Sequence, residues 1–220
     1  MIFRRLHPRQ QCSSAVVTER GSKPPFSVER APRPDSFRGQ GAGNIVAPVG
    51  AGYRSAMPAD RHASFAPHVA PDTRLLILGS LPGVRSLAAQ QYYAHPTNQF
   101  WRLLGAVVDR PLGDMPYDER LAALRDAKVG LWDVIRSAER RTSSDSLIRE
   151  VEAHDLAALI ADLPDLSMVA FNGGTAAAIG RKQLPPLDGV TLVDLPSSSA
   201  AHTIGFDKKR DRWLALRGAL

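Results

Sequence analysis

From about Phe65 onward, short apolar runs alternate with stretches of helical periodicity. Runs bounded by turn residues predict four buried strands at residues 75–79, 129–135, 167–171 and 190–195. Apolar spacing and capping residues predict helices at residues 98–108, 118–124, 154–163 and 207–216, with an alanine-rich helix after Thr175. This alternation predicts an α/β fold, a three-layer α/β/α sandwich around a four-stranded, mainly parallel sheet.

Three of the predicted strands end in small or turn-forming residues, with the sequences GSLPG, NGGT and LPSSS. Each segment alone is typical of an ordinary turn, helix start or loop. In a parallel sheet, however, all three lie at the same carboxyl edge, which is where ligands bind in open α/β folds. We therefore expect them to form one site.

The segment YYAHPTN follows the first of these loops by about ten residues. Tyr92 and Tyr93 offer flat aromatic faces and Asn98 offers an amide, a set that suits a flat polar ring such as a nucleobase. Alternatives remain for each residue. Either tyrosine could belong to the core, His95 could hydrogen-bond the turn backbone, and Asn98 could cap a helix that begins at Gln99.

The N-terminal segment, residues 1–62, is rich in Arg, Pro, Gly and Ser and lacks periodicity, so we expect it to be disordered and the folded domain to span residues 63–220. It carries ten Lys and Arg against four Asp and Glu, whereas residues 63–220 hold eighteen of each, so the net charge of +6 lies in this segment. The segment could be an arm that tethers the protein to DNA. It could also be a transit peptide, because its composition is Arg-rich and poor in acidic residues. Alternatively, Met57 could be the true start.

Two local clusters of basic residues could either contact phosphates or be solvated charges on helix surfaces. The first consists of Arg136, Arg140 and Arg141, and the second of Lys208, Lys209, Arg210 and Arg212. The single cysteine, Cys12, excludes a disulfide framework, a four-cysteine zinc site and a cysteine-ligated iron–sulfur cluster within the chain, and a reducing, cytoplasmic setting is expected. No apolar run approaches the ~20 residues of a membrane span, so we expect no membrane partner.

Several common site motifs are missing. GSLPGVRS lacks the Gly-Lys-Ser/Thr ending of a phosphate-binding P-loop, and no GxSxG elbow is present. Ser199 and His202 could pair as nucleophile and base, but no carboxylate that would orient the histidine is evident. The six histidines are scattered, so we expect no metal site.

Taken in order, GSLPG, YYAHPTNQFW, GLWDVI, FNGGTA and LPSSSAA resemble the uracil-DNA glycosylase superfamily, most closely its hypoxanthine-DNA glycosylase branch. The resemblance covers about residues 63–216. It implies a monofunctional, cofactor-free and monomeric DNA repair enzyme that flips a deaminated base out of DNA and hydrolyses its N-glycosidic bond. Two alternatives are a mismatch-specific uracil/thymine-DNA glycosylase and a non-catalytic binder of flipped or modified nucleotides.

The resemblance also implies site roles. GSLPG stands where the superfamily keeps its water-activating and base-binding loop, but Leu81 replaces the usual polar residue, which makes Asn98 the candidate catalytic residue. Tyr93 stands where mismatch glycosylases stack on the flipped base. The base-binding candidates are Gly79, Ser80, Leu81, Pro82, Gly83, Tyr92, Tyr93, His95 and Asn172, the last of which could instead fix a strand–helix turn. The DNA-binding candidates are Pro196, Ser197, Ser198, Ser199 and Ala200, although no large apolar wedge is evident among them.

Overall fold

The computed structural model describes residues 61–140, 144–145 and 148–220. The strands are β1 (Arg61–Ala63), β2 (Leu75–Gly79), β3 (Val129–Asp133), β4 (Ile135–Glu139), β5 (Arg149–Ala153), β6 (Met168–Asn172) and β7 (Thr191–Leu195). The helices are α1 (Val84–Ala89), α2 (Phe100–Val108), α3 (Tyr117–Asp126), α4 (Leu156–Ala161), α5 (Gly174–Gln183) and α6 (Phe206–Trp213), and a 3₁₀ helix follows at Leu214–Ala219.

The central sheet has four strands in the order β3-β2-β6-β7, and each neighbouring pair is parallel. Strand β2 lies inside the sheet and is buried along its whole length, which is why its sequence is a continuous apolar run. The predicted α/β fold with a four-stranded parallel sheet is confirmed.

The two faces of this sheet pack against different helices. Leu75 and Ile77 of β2 belong to one buried cluster, which also includes residues of α2, α3 and α6. Leu76 and Leu78 point the other way, into a cluster with residues of α4 and α5. This alternation along β2 produces the three layers, because successive strand side chains point to opposite faces.

A second, antiparallel sheet with the order β1-β4-β5 was not predicted. The run at residues 129–135, predicted as one strand, is divided at Val134 between β3 in the parallel sheet and β4 in the antiparallel sheet. After the break, the N–H groups of Val134 and Ile135 donate to the carbonyls of Gly79 (2.9 Å) and Ser80 (3.1 Å). The chain therefore leaves one sheet beside the end of β2 and enters the other.

The element boundaries shift by a few residues from those predicted. Helix α2 begins at Phe100 rather than residue 98, and α4 begins at Leu156 because the Asp155 carboxylate caps it, accepting from the N–H of Ala158 at 2.9 Å. Arg61 and His62 form β1 with Ala63, two residues before the predicted start of the folded domain. The rest of the predicted N-terminal segment, with Met57, lies outside the described residues. None of the described helices combines the length and apolarity needed to cross a membrane.

Candidate nucleotide-binding cleft

The loops after β2, β6 and β7 converge at the carboxyl edge of the parallel sheet. Together with residues 92–98 they enclose a cleft of about 630 Å³, a volume within the usual range for small-ligand sites. The residues that line it and that the sequence singled out are Gly79, Ser80, Leu81, Pro82, Gly83, Tyr92, Tyr93, His95, Asn98, Asn172, Ser197, Ser198, Ser199 and Ala200. Pro196 is the exception: it lies outside the cleft lining, and its carbonyl accepts a hydrogen bond from Trp213 Nε1 at 3.1 Å.

Gly79 allows two polar side chains to meet at the floor of the cleft. A Cβ at this position would lie 2.6 Å from Asp133 Oδ1 and 2.9 Å from the Tyr93 hydroxyl, closer than real Cβ atoms approach other atoms. Any residue other than glycine would therefore displace the carboxyl or the phenol. Gly79 and Asp133 are direct partners in the register of β2 and β3.

Tyr93 and Tyr92 occupy different environments. Tyr92 is buried, and its carbonyl accepts a hydrogen bond from Trp101 Nε1 at 3.2 Å. Tyr93 is only partly buried and stacks on Phe100, with ring centroids 3.6 Å apart and an interplanar angle of 11°. The sequence did not decide which of the two tyrosines belongs to the core. In the structure, Tyr93 presents its ring to the cleft and Tyr92 serves chiefly as a core residue.

Asn98 caps the start of α2 and also faces the cleft. Its Oδ1 accepts a hydrogen bond from the N–H of Phe100 at 3.0 Å. This bond fixes the amide plane and uses one of two lone pairs on Oδ1. Among the described residues nothing accepts from its Nδ2. The second lone pair and both amide N–H groups can thus serve a water molecule or a base edge.

Asn172 ties the ends of β6 and β7 together. Its Oδ1 accepts from the N–H of Ser198 at 2.8 Å, while its Nδ2 donates to Ser198 Oγ at 2.9 Å and to the Tyr93 hydroxyl at 3.2 Å. The next residue, Gly173, has φ +99°, and a Cβ there would lie 3.0 Å from Ser197 Cβ. The backbone therefore requires glycine at position 173, and Asn172 beside it places an amide in the cleft.

The loop that follows β2 is held in place by a buried arginine. Arg140, which directly follows β4 and has a side chain that is 0% exposed, donates to the carbonyls of Leu81 (3.4 Å) and Pro82. Asp145, which lies 3.8 Å from Arg140, accepts from Ser80 Oγ at 2.7 Å. Leu81 is 6% exposed and belongs to the buried cluster on the α4–α5 face. Its side chain supplies packing rather than a polar group to the cleft.

His95 is exposed at the rim, where Nδ1 lies 3.3 Å from the N–H of Thr97 and 3.0 Å from its hydroxyl. The ring thus braces the HPTN turn, as one of the sequence interpretations proposed, while still facing the cleft.

The two interpretations of the basic clusters, phosphate contact and solvated helix surface, are both wrong for two of their members. Arg140 is fully buried against the loop that follows β2, and Lys209 is buried with its Nζ donating to the carbonyl of Ser199 at 2.8 Å. Both cations stabilise site loops instead. Lys208 and Arg212 are exposed, Arg210 pairs with Asp207 at 2.9 Å, and Arg141 lies outside the described residues.

Sequence reasoning missed several residues of the cleft, namely Arg85, Ser86, Thr97, Asp133, Ser144 and Asp145. A signal for Asp133 was available, since it ends a predicted parallel strand just as Gly79 and Asn172 do. Asp145 gave no such signal, because it reaches the cleft through the antiparallel sheet. No group of acidic, His or Cys side chains suited to a metal ion occurs in the described part of the chain.

The carboxyls and the phenol of the cleft have shifted acidities. Burial, and to a smaller extent the nearby charge of Asp145, raise the pKa of Asp133 to about 7 against the opposing charge of Arg140. Burial also raises the pKa of Asp145, against the hydrogen bond from Ser80 and the charge of Arg140. The pKa of Tyr93 is raised by burial and by Asp133, so its hydroxyl stays protonated at neutral pH. Such perturbed groups in a cleft are typical of functional sites.

Comparison with known proteins identifies relatives of the whole folded part. The family model of the uracil DNA glycosylase superfamily matches residues 66–217. The hypoxanthine DNA glycosylase of Methanosarcina acetivorans is 39% identical over 148 residues, covering 66% of this chain and 90% of that protein. The hypoxanthine DNA glycosylase of Methanosarcina barkeri is 43% identical over 149 residues, covering 68% and 93%.

The fold has a solved counterpart as well. It is the solution NMR structure of a Methanosarcina acetivorans protein proposed to be a uracil DNA glycosylase, with a TM-score of 0.64 and 35% identity. The match covers 73% of this chain and 99% of that one.

Proposed function

The chain belongs to the uracil DNA glycosylase superfamily, and from that premise we propose that it is a DNA repair glycosylase that excises hypoxanthine, the deamination product of adenine. The match to residues 66–217 contains every described residue of the cleft. Two curated relatives with 39% and 43% identity are named for hypoxanthine excision, which supports this base over others.

The cleft is the observation that carries the proposal. In duplex DNA the reactive C1′ and the base are stacked away from solvent, so a glycosylase must rotate the nucleotide out of the helix, which costs a few kcal/mol. A cleft of about 630 Å³ with a partly exposed tyrosine ring accommodates one such base. Stacking on Tyr93 recovers roughly 1–3 kcal/mol of the cost of flipping.

Asn98 is our candidate for positioning the water. As the N-glycosidic bond breaks, positive charge develops on the sugar and electron density builds up on the departing base. The Asn98 amide is held by its bond to Phe100, so it is preorganised to bind a water beside C1′. Leu81, at the position that is polar in other branches, is turned into the core and cannot do this.

The loop after β7 is our candidate for the contact to the DNA backbone. Lys209 and Asn172 hold Ser199 and Ser198 from within the protein, and the Ser197 Oγ accepts from the N–H of Ser199 at 3.2 Å. The hydroxyls of Ser197 and Ser198 accept these internal bonds, so their O–H groups can still donate to phosphate oxygens. Because all of these groups come from one chain, we propose a monomer, acting on DNA in the cytoplasm.

We also propose that the enzyme is monofunctional. No lysine is among the described residues that line the cleft, so none is in place to form a Schiff base with C1′ of the sugar. The product is then an intact strand with an abasic site.

The test uses end-labelled oligonucleotides that contain deoxyinosine, deoxyuridine or a G·T mismatch, incubated with the purified full-length protein and then treated with alkali. We expect alkali-dependent cleavage at deoxyinosine and none before alkali. Cleavage at uracil or mismatched thymine alone would instead identify a mismatch-type glycosylase. Tight binding of deoxyinosine DNA without cleavage would identify a non-catalytic binder, and either result overturns the proposal.

A further inference from the structure

The buried carboxyl of Asp133 is not used by the mechanism above. The residue is 3% exposed, lines the cleft, and its Oδ2 has no hydrogen-bond partner. No described residue donates to its Oδ1 either. An unpartnered buried polar group costs free energy unless a ligand or a proton completes it. Its retention at the floor of a ligand cleft points to a partner that arrives with the substrate.

The depth of Asp133 indicates which part of a nucleotide it meets. Asp133 pairs in register with Gly79, the last residue of β2. In other branches of the superfamily, the residue that polarises the water stands at the position of Leu81, two residues further along the loop. The sugar of a flipped nucleotide is tethered to the phosphodiester backbone outside the protein, so the base enters deepest. Asp133 therefore faces the base rather than the water beside C1′.

The surroundings of Asp133 favour its neutral form. Gly79 and the Tyr93 hydroxyl lie next to the carboxyl. The charge of Asp145 disfavours a second negative charge on Asp133. Arg140 favours the ionised form of Asp133, but its guanidinium is hydrogen-bonded to loop carbonyls. Among the described residues, the other ionisable side chains at the cleft are Arg85, Tyr92, His95 and His202. Burial with these neighbours raises the pKa of Asp133 to about 7, so much of the population carries a proton at neutral pH.

We propose that Asp133 is the general acid of the reaction, donating a hydrogen bond to N7 of the flipped purine and transferring its proton there as the base departs. The inference rests on the proposed function, because it takes the base to be hypoxanthine. The N9–C1′ bond breaks with its electron pair going to N9, while the carboxyl O–H bond breaks and an N7–H bond forms. Hypoxanthine thus leaves as a neutral molecule and Asp133 is left as a carboxylate. Water adds its oxygen to C1′, and the proton that it loses restores the carboxyl.

The decisive variant is Asp133→Asn, which preserves shape but cannot supply a proton. With enzyme saturating over a deoxyinosine duplex, we expect its single-turnover rate at pH 6 to be at least ~10²-fold below that of the unmodified protein, the scale of general acid catalysis. The unmodified rate should be flat below pH 7 and fall about tenfold per pH unit above it, while the Asp133→Asn rate stays flat. Asp194→Asn, an exposed change in β7 outside the cleft, is the matched control.

A second substrate tests the acceptor atom. In 7-deaza-2′-deoxyinosine, N7 is replaced by C–H, so the base still stacks but cannot be protonated there. We expect binding within a few-fold of deoxyinosine, excision by the unmodified protein at least ~10²-fold slower, and no further loss on combining this substrate with Asp133→Asn.

An Asp133→Asn protein that excises at the unmodified rate, or that keeps the decline above pH 7, would overturn the assignment. So would rapid excision of the 7-deaza base. These results differ from a failure of the proposed function, in which the unmodified protein itself releases no hypoxanthine.

Discussion

Tyr93 lies face to face on Phe100, with ring centroids 3.6 Å apart. Phe100 is the fully buried first residue of α2, and Tyr93 has φ +53°, in the left-handed region. For a non-glycine residue that conformation costs on the order of 1 kcal/mol. The stack and the hydrogen bond from Asn172 hold Tyr93 in it. Because Phe100 covers one face of the phenol, the ring is a rigid platform whose opposite side is available to a base.

Removing this platform should weaken binding of the flipped nucleotide. Tyr93→Ala is expected to raise the Kd for deoxyinosine DNA by roughly 5- to 150-fold, corresponding to the 1–3 kcal/mol of one base–aromatic stack. Tyr93→Phe keeps the ring and loses only the hydroxyl contact with Asn172, so its Kd should stay within a few-fold. Fluorescence anisotropy with a labelled duplex measures both. Equal losses in the two variants would show that the hydroxyl, not the stack, matters.

Asn98→Ala should lower the single-turnover rate of hypoxanthine excision by at least ~10²-fold, the scale for losing one preorganised polar group. Because Asn98 also caps α2, the control is Asn98→Ser, whose hydroxyl can accept from the N–H of Phe100 but cannot replace the amide. We expect the serine variant to regain thermal stability and not activity. Recovery of excision in Asn98→Ser would mean that the cap, rather than the water, explains the loss.

The sequence was sufficient to predict the parallel sheet and the convergence of its loops, because these depend on local signals. The apolar run of β2 predicts a buried strand. Gly79 and the residues after it predict the turn at the end of that strand. The sequence did not decide the roles of Tyr92 and Tyr93, since identical neighbouring residues differ only in which side chain the tertiary structure buries.

The antiparallel sheet and the residues it contributes were not predictable in the same way. Strand β5 has an exposed, charged sequence without apolar alternation, and only its pairing with β4 makes it a strand. Arg140 was interpreted as a surface cation because nothing along the chain indicates that its guanidinium reaches the carbonyls of Leu81 and Pro82, 59 and 58 residues away.

Arg140 should matter for stability as well as for activity. Arg140→Ala removes the donors to the Leu81 and Pro82 carbonyls and leaves Asp145 without its cation. Removing one partner of a buried charge network typically costs about 3–5 kcal/mol, and we expect a loss of unfolding free energy of that order. Arg136→Ala, four residues away in β4 and exposed, should change it by less than about 0.5 kcal/mol. Chemical denaturation of both variants is the measurement; similar midpoints would contradict a supporting role for Arg140.

Deleting residues 1–60 should leave the chemical step unchanged and weaken DNA binding mainly at low salt. The cut stops before Arg61 because that residue pairs with Glu139 in the antiparallel sheet. The deleted segment holds nine Lys and Arg against four Asp and Glu, and basic charge contributes a salt-dependent, sequence-independent part of DNA affinity. Binding titrations at several salt concentrations should give a shallower slope for the shortened protein. A lower excision rate at saturating DNA would contradict the expected division of roles.

Asp133 should make the protein less stable as the pH rises. Its pKa is about 7 in the folded protein, well above the ordinary value of 3.8. Between these values the folded state binds a proton that the unfolded state has lost, so unfolding free energy declines through this window and levels off above pH 7. Asp133→Asn removes that penalty. It should match the unmodified protein near pH 4 and exceed it at pH 8 by roughly 1–4 kcal/mol, one pKa unit being worth 1.36 kcal/mol. Urea denaturation at the two pH values measures this difference. A gain that is the same at both pH values would show that folding does not shift the pKa of Asp133. A variant that is more stable but less active would reveal a stability cost carried for function.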